Sequence, residues 1–163
     1  MVIGASDRHR YLSPESVRRI VRDGFGRVAL EGRRVLVIIP DGTRTMPMPL
    51  MFDALVETLG GRVTAMDFLV ALGTHRPMGD AALSRLVGRP VVGERAGRHR
   101  VFNHRWSDPS TFITVGSISA AEIATLTEGL FSRDVPVSLN RAVVEYDHVI
   151  VCGPVFPHEV AGF

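Results

Sequence analysis

The sequence predicts an α/β fold: a mostly parallel sheet with crossover helices on both faces, a Rossmann-like three-layer arrangement. Apolar, β-branched runs typical of fully buried parallel strands occur at 35–39, 63–72 and 149–152. Segments with helical spacing separate these runs, as right-handed crossover connections require. The length of 163 residues suits one core. We therefore expect a single α/β domain over 1–163, in which 1–33 form a helix and a lead-in.

The first predicted element is a helix that begins after Ser13. Ser13 is a good N-cap, Pro14 suits the first helical position, and apolar residues then recur at helical spacing up to about Gly24. The glycines at 24 and 26, with the alanine at 29, fit the spacing of dinucleotide sites. That motif follows a buried strand, whereas here an amphipathic helix precedes it, so we reject a dinucleotide site.

The later elements alternate between strands and helices. Residues 89–100 are rich in Gly and Arg with little periodicity, and we interpret them as a connection. Ser119 and Glu122 have the spacing of a capping box. The other predicted elements are helices at 50–59 and 78–87, short strands at 101–102 and 111–115, a helix from 119 to about 130, and a helical turn at 140–145.

Composition favours a soluble protein. Hydrophobic residues make up 45% and charged residues 22% of the chain, and no apolar run approaches the roughly 20 residues that cross a bilayer. The N-terminus lacks the pattern of a secretory signal, and the lone Cys152 cannot form an internal disulfide. We therefore expect a cytoplasmic protein without a membrane partner. The net charge is only +2 with scattered arginines, which argues against a nucleic-acid partner.

All 19 basic residues are arginine, and the chain contains no lysine. A lysine Schiff base, a Walker-type phosphate lysine and a covalent lysine anchor are therefore excluded within these 163 residues. Chemistry that needs such a group would have to obtain it from another part of the protein.

Three polar clusters come directly after predicted buried strands. In open α/β sheets, ligands bind beyond the carboxyl ends of the strands, so the clusters are expected to converge on one crevice. They are Asp41-Gly42-Thr43-Arg44, Gly73-Thr74-His75-Arg76-Pro77 and Pro157-His158-Glu159.

Each cluster has a functional and a purely structural interpretation. Arg44 can hold a carboxylate or phosphate through two hydrogen bonds, but the segment around it can equally be an Asp-Gly turn with a solvated arginine. His75 and His158 are suited to proton transfer, yet a lone turn histidine is often a plain hydrogen-bonding residue. We interpret the aromatic and polar segment 103–106 as packing, and the absence of a His-x-x-x-His or Cys pair argues against a self-contained zinc site.

With these motifs, the chain resembles the nickel-dependent lactate racemases and their relatives that racemise or epimerise other 2-hydroxy acids. The resemblance runs from about Val35 to Phe163, which is most of the chain. Its specific parts, in order, are 41–44, the Ala-Leu-Gly-Thr-His-Arg-Pro segment at 71–77, and the Pro-His-Glu-Val-Ala-Gly-Phe segment at 157–163. Each motif alone is weak, but all three in order at strand ends make a chance match improbable.

The resemblance implies a chemistry and a set of roles. The family uses a nickel-pincer nucleotide: a histidine takes the hydroxyl proton while the hydride on carbon 2 moves to the cofactor, and a second histidine serves the other enantiomer. His75 and His158 match these two bases, and Arg44 matches the arginine that holds the anionic substrate. The implied cofactor contacts are Asp41, Gly42, Thr43, Thr74 and Arg76.

Two features depart from the family pattern. Thr45 stands where the family commonly has proline after the arginine. The family's cofactor-anchoring lysine and nickel-ligating histidine lie beyond the Ala-Gly-Phe segment and are absent here, so no metal ligand is assigned. Together with the apolar residues that follow the last strand, this leads us to expect the N-terminal catalytic part of a truncated racemase. A C-terminal lobe would complete it, an oligomer is compatible with it, and these 163 residues alone would be inactive.

Two alternatives remain open at this point. The chain could be a non-catalytic α/β domain that holds a small anion through Arg44 and the strand-end loops. It could also be an interaction module whose apolar C-terminal segment docks a partner chain. The codons after Phe163 would discriminate, because a Gly-rich stretch with a lysine and a later histidine favours the enzyme.

Overall fold

The computed structural model describes residues 2–157, so the predicted base His158 lies outside the described part of the chain. In chain order its elements are α1 (Pro14–Phe25), β1 (Arg34–Pro40), α2 (Met48–Leu59), β2 (Ala65–Ala71), α3 (Asp80–Val87), β3 (Arg95–Ala96), β4 (His99–Asn103), a 3₁₀ turn (Pro109–Thr111), β5 (Phe112–Ile118), α4 (Ala120–Leu126), β6 (Val135–Asn140), α5 (Ala142–Glu145) and β7 (His148–Val151).

A mostly parallel sheet forms the centre of the molecule. Its strand order is β3-β4-β2-β1-β7, and only the short β3 runs antiparallel to its neighbour. The strand β1 pairs with β2 along its whole length and with β7 on its other side. The predicted α/β class and the mostly parallel sheet are thus confirmed.

The helices α1, α2 and α3 cover one face of this sheet. The chain steps from β1 to β2 to β4 in one direction, and right-handed crossovers in one direction put their helices on the same face. Val35, Val37 and Ile39 of β1 point into this core. Phe52 of α2 packs on Phe68 of β2, with ring centroids 4.5 Å apart. The main apolar core therefore lies between the sheet and these helices.

The second face carries a thinner layer. The return from β4 to β7 passes over β2 and β1 in the opposite direction, so a right-handed connection lies on the opposite face. There Ala142 of the four-residue α5 packs against Leu36 and Leu69. Helices do lie on both faces, as predicted, but one short helix provides the contact on this side.

Three local predictions differ from the structure. The connection expected at 89–100 contains the short strand β3 and the start of β4. The strand β6 was not predicted, although it pairs with β5 in a separate antiparallel hairpin. It contains Pro136 and polar residues rather than an apolar run, which a strand tolerates only where one edge is free. The helix expected to reach about 130 ends at Leu126, where the Thr127 hydroxyl donates to the Ile123 carbonyl and accepts a hydrogen bond from the Phe131 amide.

Over 2–157, none of the helices combines the length and the apolar character needed to cross a bilayer.

Candidate active site

A crevice of about 470 Å³ opens at the carboxyl ends of β1, β2 and β7. The chain runs outward from β1 to β2 and β4 and then returns to place β7 on the other side of β1, so the strand order reverses between β1 and β7. Such a topological switch point is where open α/β sheets bind ligands. Residues of the first two polar clusters line the crevice, as their positions predicted, together with 151–154 at the end of β7. Of the third cluster, Pro157 is not among the lining residues, and His158 and Glu159 lie outside the described part of the chain.

A histidine and a carboxylate are paired in this crevice. The Nδ1 atom of His75 lies 2.6 Å from Oδ2 of Asp41. Because an ionised carboxylate can only accept, Nδ1 carries the proton, and Nε2 of the neutral ring is left as an acceptor. The Asp41 side chain is 8% exposed and that of His75 is 56% exposed. The buried group therefore orients the ring, and the exposed ring can meet a ligand.

The second oxygen of Asp41 is also engaged. Oδ1 accepts hydrogen bonds from the Thr43 amide at 3.0 Å and from the Thr43 hydroxyl at 2.5 Å. Burial acts to raise the pKa of Asp41, but the hydrogen bonds from His75 and Thr43 outweigh it, so the pKa lies below its ordinary value. Asp41 is therefore ionised at neutral pH, as its partnership with His75 requires.

The loop that carries His75 is fastened at several points. Gly73 has a φ of +57°, the left-handed region that favours glycine, and the His75 amide donates to the Leu72 carbonyl at 3.0 Å. The indole Nε1 of Trp106 donates to the His75 carbonyl at 3.0 Å. Asn103 bonds both the amide and the carbonyl of Met78, at 2.9 and 3.0 Å.

Trp106 and Asn103 belong to the segment that we interpreted as packing. Their bonds join residues 31 and 25 positions apart in the sequence. Only one sequence signal pointed to them, a polar and aromatic cluster directly after the strand β4. Spacing alone could not show that this cluster faces the loop after β2.

Arg44 lies at the rim of the crevice. Its guanidinium carbon is 5.1 Å from the centre of the Phe156 ring, a cation–π distance. Arg44 also lines a neighbouring cavity of about 410 Å³, which contains Gly42. Thr43 and Thr74 line the crevice with Asp41 and His75, whereas the exposed Arg76 lies outside its lining. Thus six of the seven predicted site residues within 2–157 border one of two adjoining cavities.

The described residues offer little to a metal ion. Between residues 2 and 157, no group of three or more His, Cys, Asp or Glu side chains is placed to hold one. Cys152, at the end of β7, lines the crevice, but burial raises the pKa of its thiol to about 11. It therefore remains a neutral thiol at physiological pH and a poor nucleophile.

Comparison with known protein families finds a match. The model of the lactate racemase N-terminal domain matches residues 14–163. The chain belongs to this family. The match covers nearly all of the chain, including the three strand-end motifs, and confirms the relationship that those motifs indicated.

Two solved structures resemble this lactate racemase N-terminal domain. A protein from Thermotoga maritima is 25% identical with a TM-score of 0.73, and the similarity covers 86% of this chain and 33% of that one. The lactate racemase apoprotein from Thermoanaerobacterium thermosaccharolyticum is 19% identical with a TM-score of 0.54, over 86% of this chain and 32% of that one. The second likeness shows the fold. This chain spans about one third of the length of either structure, and no curated protein matches it.

Proposed function

We propose that the protein containing this domain interconverts the enantiomers or epimers of a small 2-hydroxy acid by proton-coupled hydride transfer, with a nickel-pincer nucleotide as cofactor. The observation that carries the proposal is the His75–Asp41 pair, which faces a crevice at the switch point of the sheet with Arg44 at its rim. The family match supports a lactate racemase-related role.

His75 is proposed as one of the two bases. Its Nδ1 proton is held by Asp41, so Nε2 can accept the hydroxyl proton of a substrate bound in the crevice. The imidazolium that forms lies beside an ionised carboxylate, which stabilises it as the proton arrives. Asp41 does not need to move or to change its own protonation state.

Arg44 is proposed to hold the substrate carboxylate. A guanidinium binds a carboxylate through two parallel hydrogen bonds, and this fixes the direction of the neighbouring hydroxyl. The Phe156 ring over Arg44 limits the motion of the guanidinium without consuming its donors. Arg44 would then bind the carboxylate and His75 would accept the proton of the hydroxyl on the neighbouring carbon of the same small molecule.

The described residues fit the anionic and hydroxyl groups of a nucleotide cofactor but not its metal. Thr74 offers a hydroxyl in the crevice. The Thr43 hydroxyl already donates to Asp41 and can only accept a further hydrogen bond, and Asp41 acts through His75 because both its oxygens are engaged. Within residues 2–157, no group of three or more His, Cys, Asp or Glu side chains is placed to hold a metal ion, and a lysine anchor is missing from the whole sequence. When bound, the cofactor would accept the hydride from carbon 2 and return it. The nickel ligand and the lysine are proposed to come from a C-terminal lobe.

The second base is proposed to be His158, on the evidence of the family motif alone. It follows the strand β7, whose end borders the same crevice. Two bases suit a racemase because the two enantiomers present their hydroxyl protons from different directions. Residue 158 lies outside the part of the chain that the structure describes, so its role depends on experiment.

The direct test is a racemisation screen of the complete gene product, matured with the pincer cofactor, against a panel of chiral 2-hydroxy acids. Replacing a general base typically costs 10²- to 10⁴-fold in rate, so His75→Ala and His158→Ala should each lose roughly that much. His9→Gln is the control, because His9 is an exposed histidine of the lead-in.

Parental rates in both alanine variants would contradict the two-base proposal. Stoichiometric binding of a 2-hydroxy acid without turnover of any panel member would favour the binding-domain alternative.

A further inference from the structure

We infer that Trp106 and Asn103 are positioning residues that fasten the His75 loop from the end of the strand β4, so that the imidazole stays in register with Asp41. The inference rests on the proposed role of His75 as a base. It extends the site to a segment whose side chains bond the loop backbone, and neither residue lines the crevice itself.

The contacts span the loop. Trp106 bonds the His75 carbonyl, and Asn103 bonds both backbone polar groups of Met78, three residues later. Both donors follow or end β4, and β4 pairs in parallel with β2, the strand from which the loop emerges. The loop is therefore tied to the strand next to its own, which gives its backbone a fixed frame.

The exposure of Trp106 favours positioning over packing. A tryptophan that serves mainly the core buries its ring, whereas Trp106 is 41% exposed. Its indole N–H nevertheless donates to the backbone carbonyl of His75. Asn103 is 7% exposed, and its side-chain Oδ1 and Nδ2 bond the backbone amide and carbonyl of Met78.

The functional consequence follows from the geometry of the pair. The hydrogen bond of 2.6 Å between Nδ1 of His75 and Oδ2 of Asp41 joins a ring on the loop after β2 to a carboxylate in the turn after β1. A loop free to shift by about 1 Å would lengthen that bond, and misplacement of that size can cost far more in rate than in stability. Trp106 removes part of that freedom at the residue that carries the ring.

The test compares Trp106→Phe, which keeps an aromatic ring but lacks the N–H, with Arg105→Gln as the matched control. Arg105 is the neighbouring residue, and its side chain pairs with Glu94 at the surface. Asn103→Ser is the second variant. All variants are made in the complete, cofactor-matured gene product, and kcat and KM are measured for each. The pKa of Asp41 is measured from the pH dependence of its carboxyl carbon-13 resonance. That resonance is assigned by its absence from the spectrum of Asp41→Asn.

Trp106→Phe is expected to lower kcat roughly 3- to 10-fold, the worth of one hydrogen bond, with KM within about twofold of the parent. The pKa of Asp41 should rise toward its ordinary value, because the hydrogen bond from His75 that lowers it is weakened. Asn103→Ser should shift both quantities in the same direction, and Arg105→Gln neither.

Identical kcat and Asp41 titration in Trp106→Phe and Arg105→Gln would overturn the inference. A lower kcat with an unchanged Asp41 titration would also overturn it, because the effect would then bypass the pair. If His75→Ala keeps the parental rate, the proposed function fails, but the Asp41 titration still decides whether Trp106 and Asn103 hold the pair together.

Discussion

At the scale of single residues, the site depends on the buried carboxylate of Asp41. It accepts hydrogen bonds from the His75 ring and from both the amide and the hydroxyl of Thr43. These bonds outweigh the cost of burial, and they link the turn after β1 to the loop after β2. The same carboxylate thereby serves the stability of the fold and the orientation of the proposed base.

The lowered pKa of Asp41 predicts a pH-dependent contribution to stability. A depressed folded-state pKa stabilises the protein fully above the ordinary value, near 3.8, and the contribution is lost as pH falls through the folded-state value. Asp41→Asn should therefore be less stable than the parent at pH 7, with a difference that shrinks at pH 3. Urea unfolding at both pH values measures it.

Three exposed carboxyls, Glu15, Glu31 and Asp108, also have lowered pKa values. They are the same in both proteins and cancel in the comparison. A difference between parent and Asp41→Asn that stays constant from pH 7 to pH 3 would contradict the role assigned to the ionised carboxylate.

The sequence predicted which residues would gather at the site better than it predicted how they would pair. Their positions after buried strands were sufficient to place Asp41, Thr43, Arg44 and 73–75 in one crevice, and Gly42 lines the neighbouring cavity. The bond between Asp41 and His75 spans 34 positions, and its existence depends on side-chain directions that spacing does not encode. The segment of Trp106 was interpreted as packing for the same reason, because spacing does not show that its indole meets the His75 carbonyl.

At the scale of elements, the end of α3 shows how one residue fixes the packing of two helices. Gly88 ends α3 in the left-handed region, with a φ of +70°. A Cβ atom there would lie 2.6 Å from the Cβ atom of Pro49 in the first turn of α2. Glycine is therefore required both by the backbone and by the close approach of the helices.

Gly88→Ala is predicted to destabilise the protein more than Gly93→Ala. Gly93 also has a left-handed φ, +57°, but a Cβ atom there would meet no atom of residues 2–157 within 4 Å. Gly93→Ala should cost about 1–2 kcal/mol of unfolding free energy from strain alone. Gly88→Ala should cost about 1–3 kcal/mol more from overpacking against Pro49. Equal losses of unfolding free energy in the two variants, measured by thermal or urea unfolding, would contradict a destabilising contact between residue 88 and Pro49.

Elements with a strong apolar period were predictable, and those without one were not. The strands β1 and β2 and the helices α1 to α3 each bury side chains in one core, so their patterns are clear. The strand β7 was expected to be fully buried, but it lies at the edge of the described sheet, and Val151 is 77% exposed. The strand β6 buries nothing fully and carries Pro136, so no run of apolar residues marks it. Its partner β5 pairs with it through backbone hydrogen bonds, which the sequence of β6 alone does not reveal.

At the scale of the whole molecule, the fold has a well-packed part, the parallel sheet with its covering helices, and a loosely packed part, the elements β5, α4 and β6. Every residue of β5, α4 and β6 is exposed or only half-buried, and Leu126 is 70% exposed. The strands β1 and β2, in contrast, hold several fully buried side chains in the centre of the sheet. Local stability follows the number of buried apolar contacts.

The rate of amide hydrogen exchange in the 163-residue chain should therefore differ between the well-packed part and the loosely packed part. Amides of β1 and β2 should exchange most slowly, and those of β5 and β6 much faster, because a two-stranded hairpin is marginal without a packed face. Exchange followed by mass spectrometry of peptides separates the segments. Protection of the hairpin equal to that of β1 would contradict this division.

The central claim is that His75, held by Asp41, takes the hydroxyl proton of one enantiomer. Its most direct test is a single-turnover experiment on the complete, cofactor-matured gene product, with acid quench and measurement of the keto acid formed from each pure enantiomer. We predict that His75→Gln abolishes keto-acid formation from one enantiomer and spares the other, and that His158→Gln reverses this preference. Keto acid formed from both enantiomers at the parental rate in His75→Gln would contradict the account.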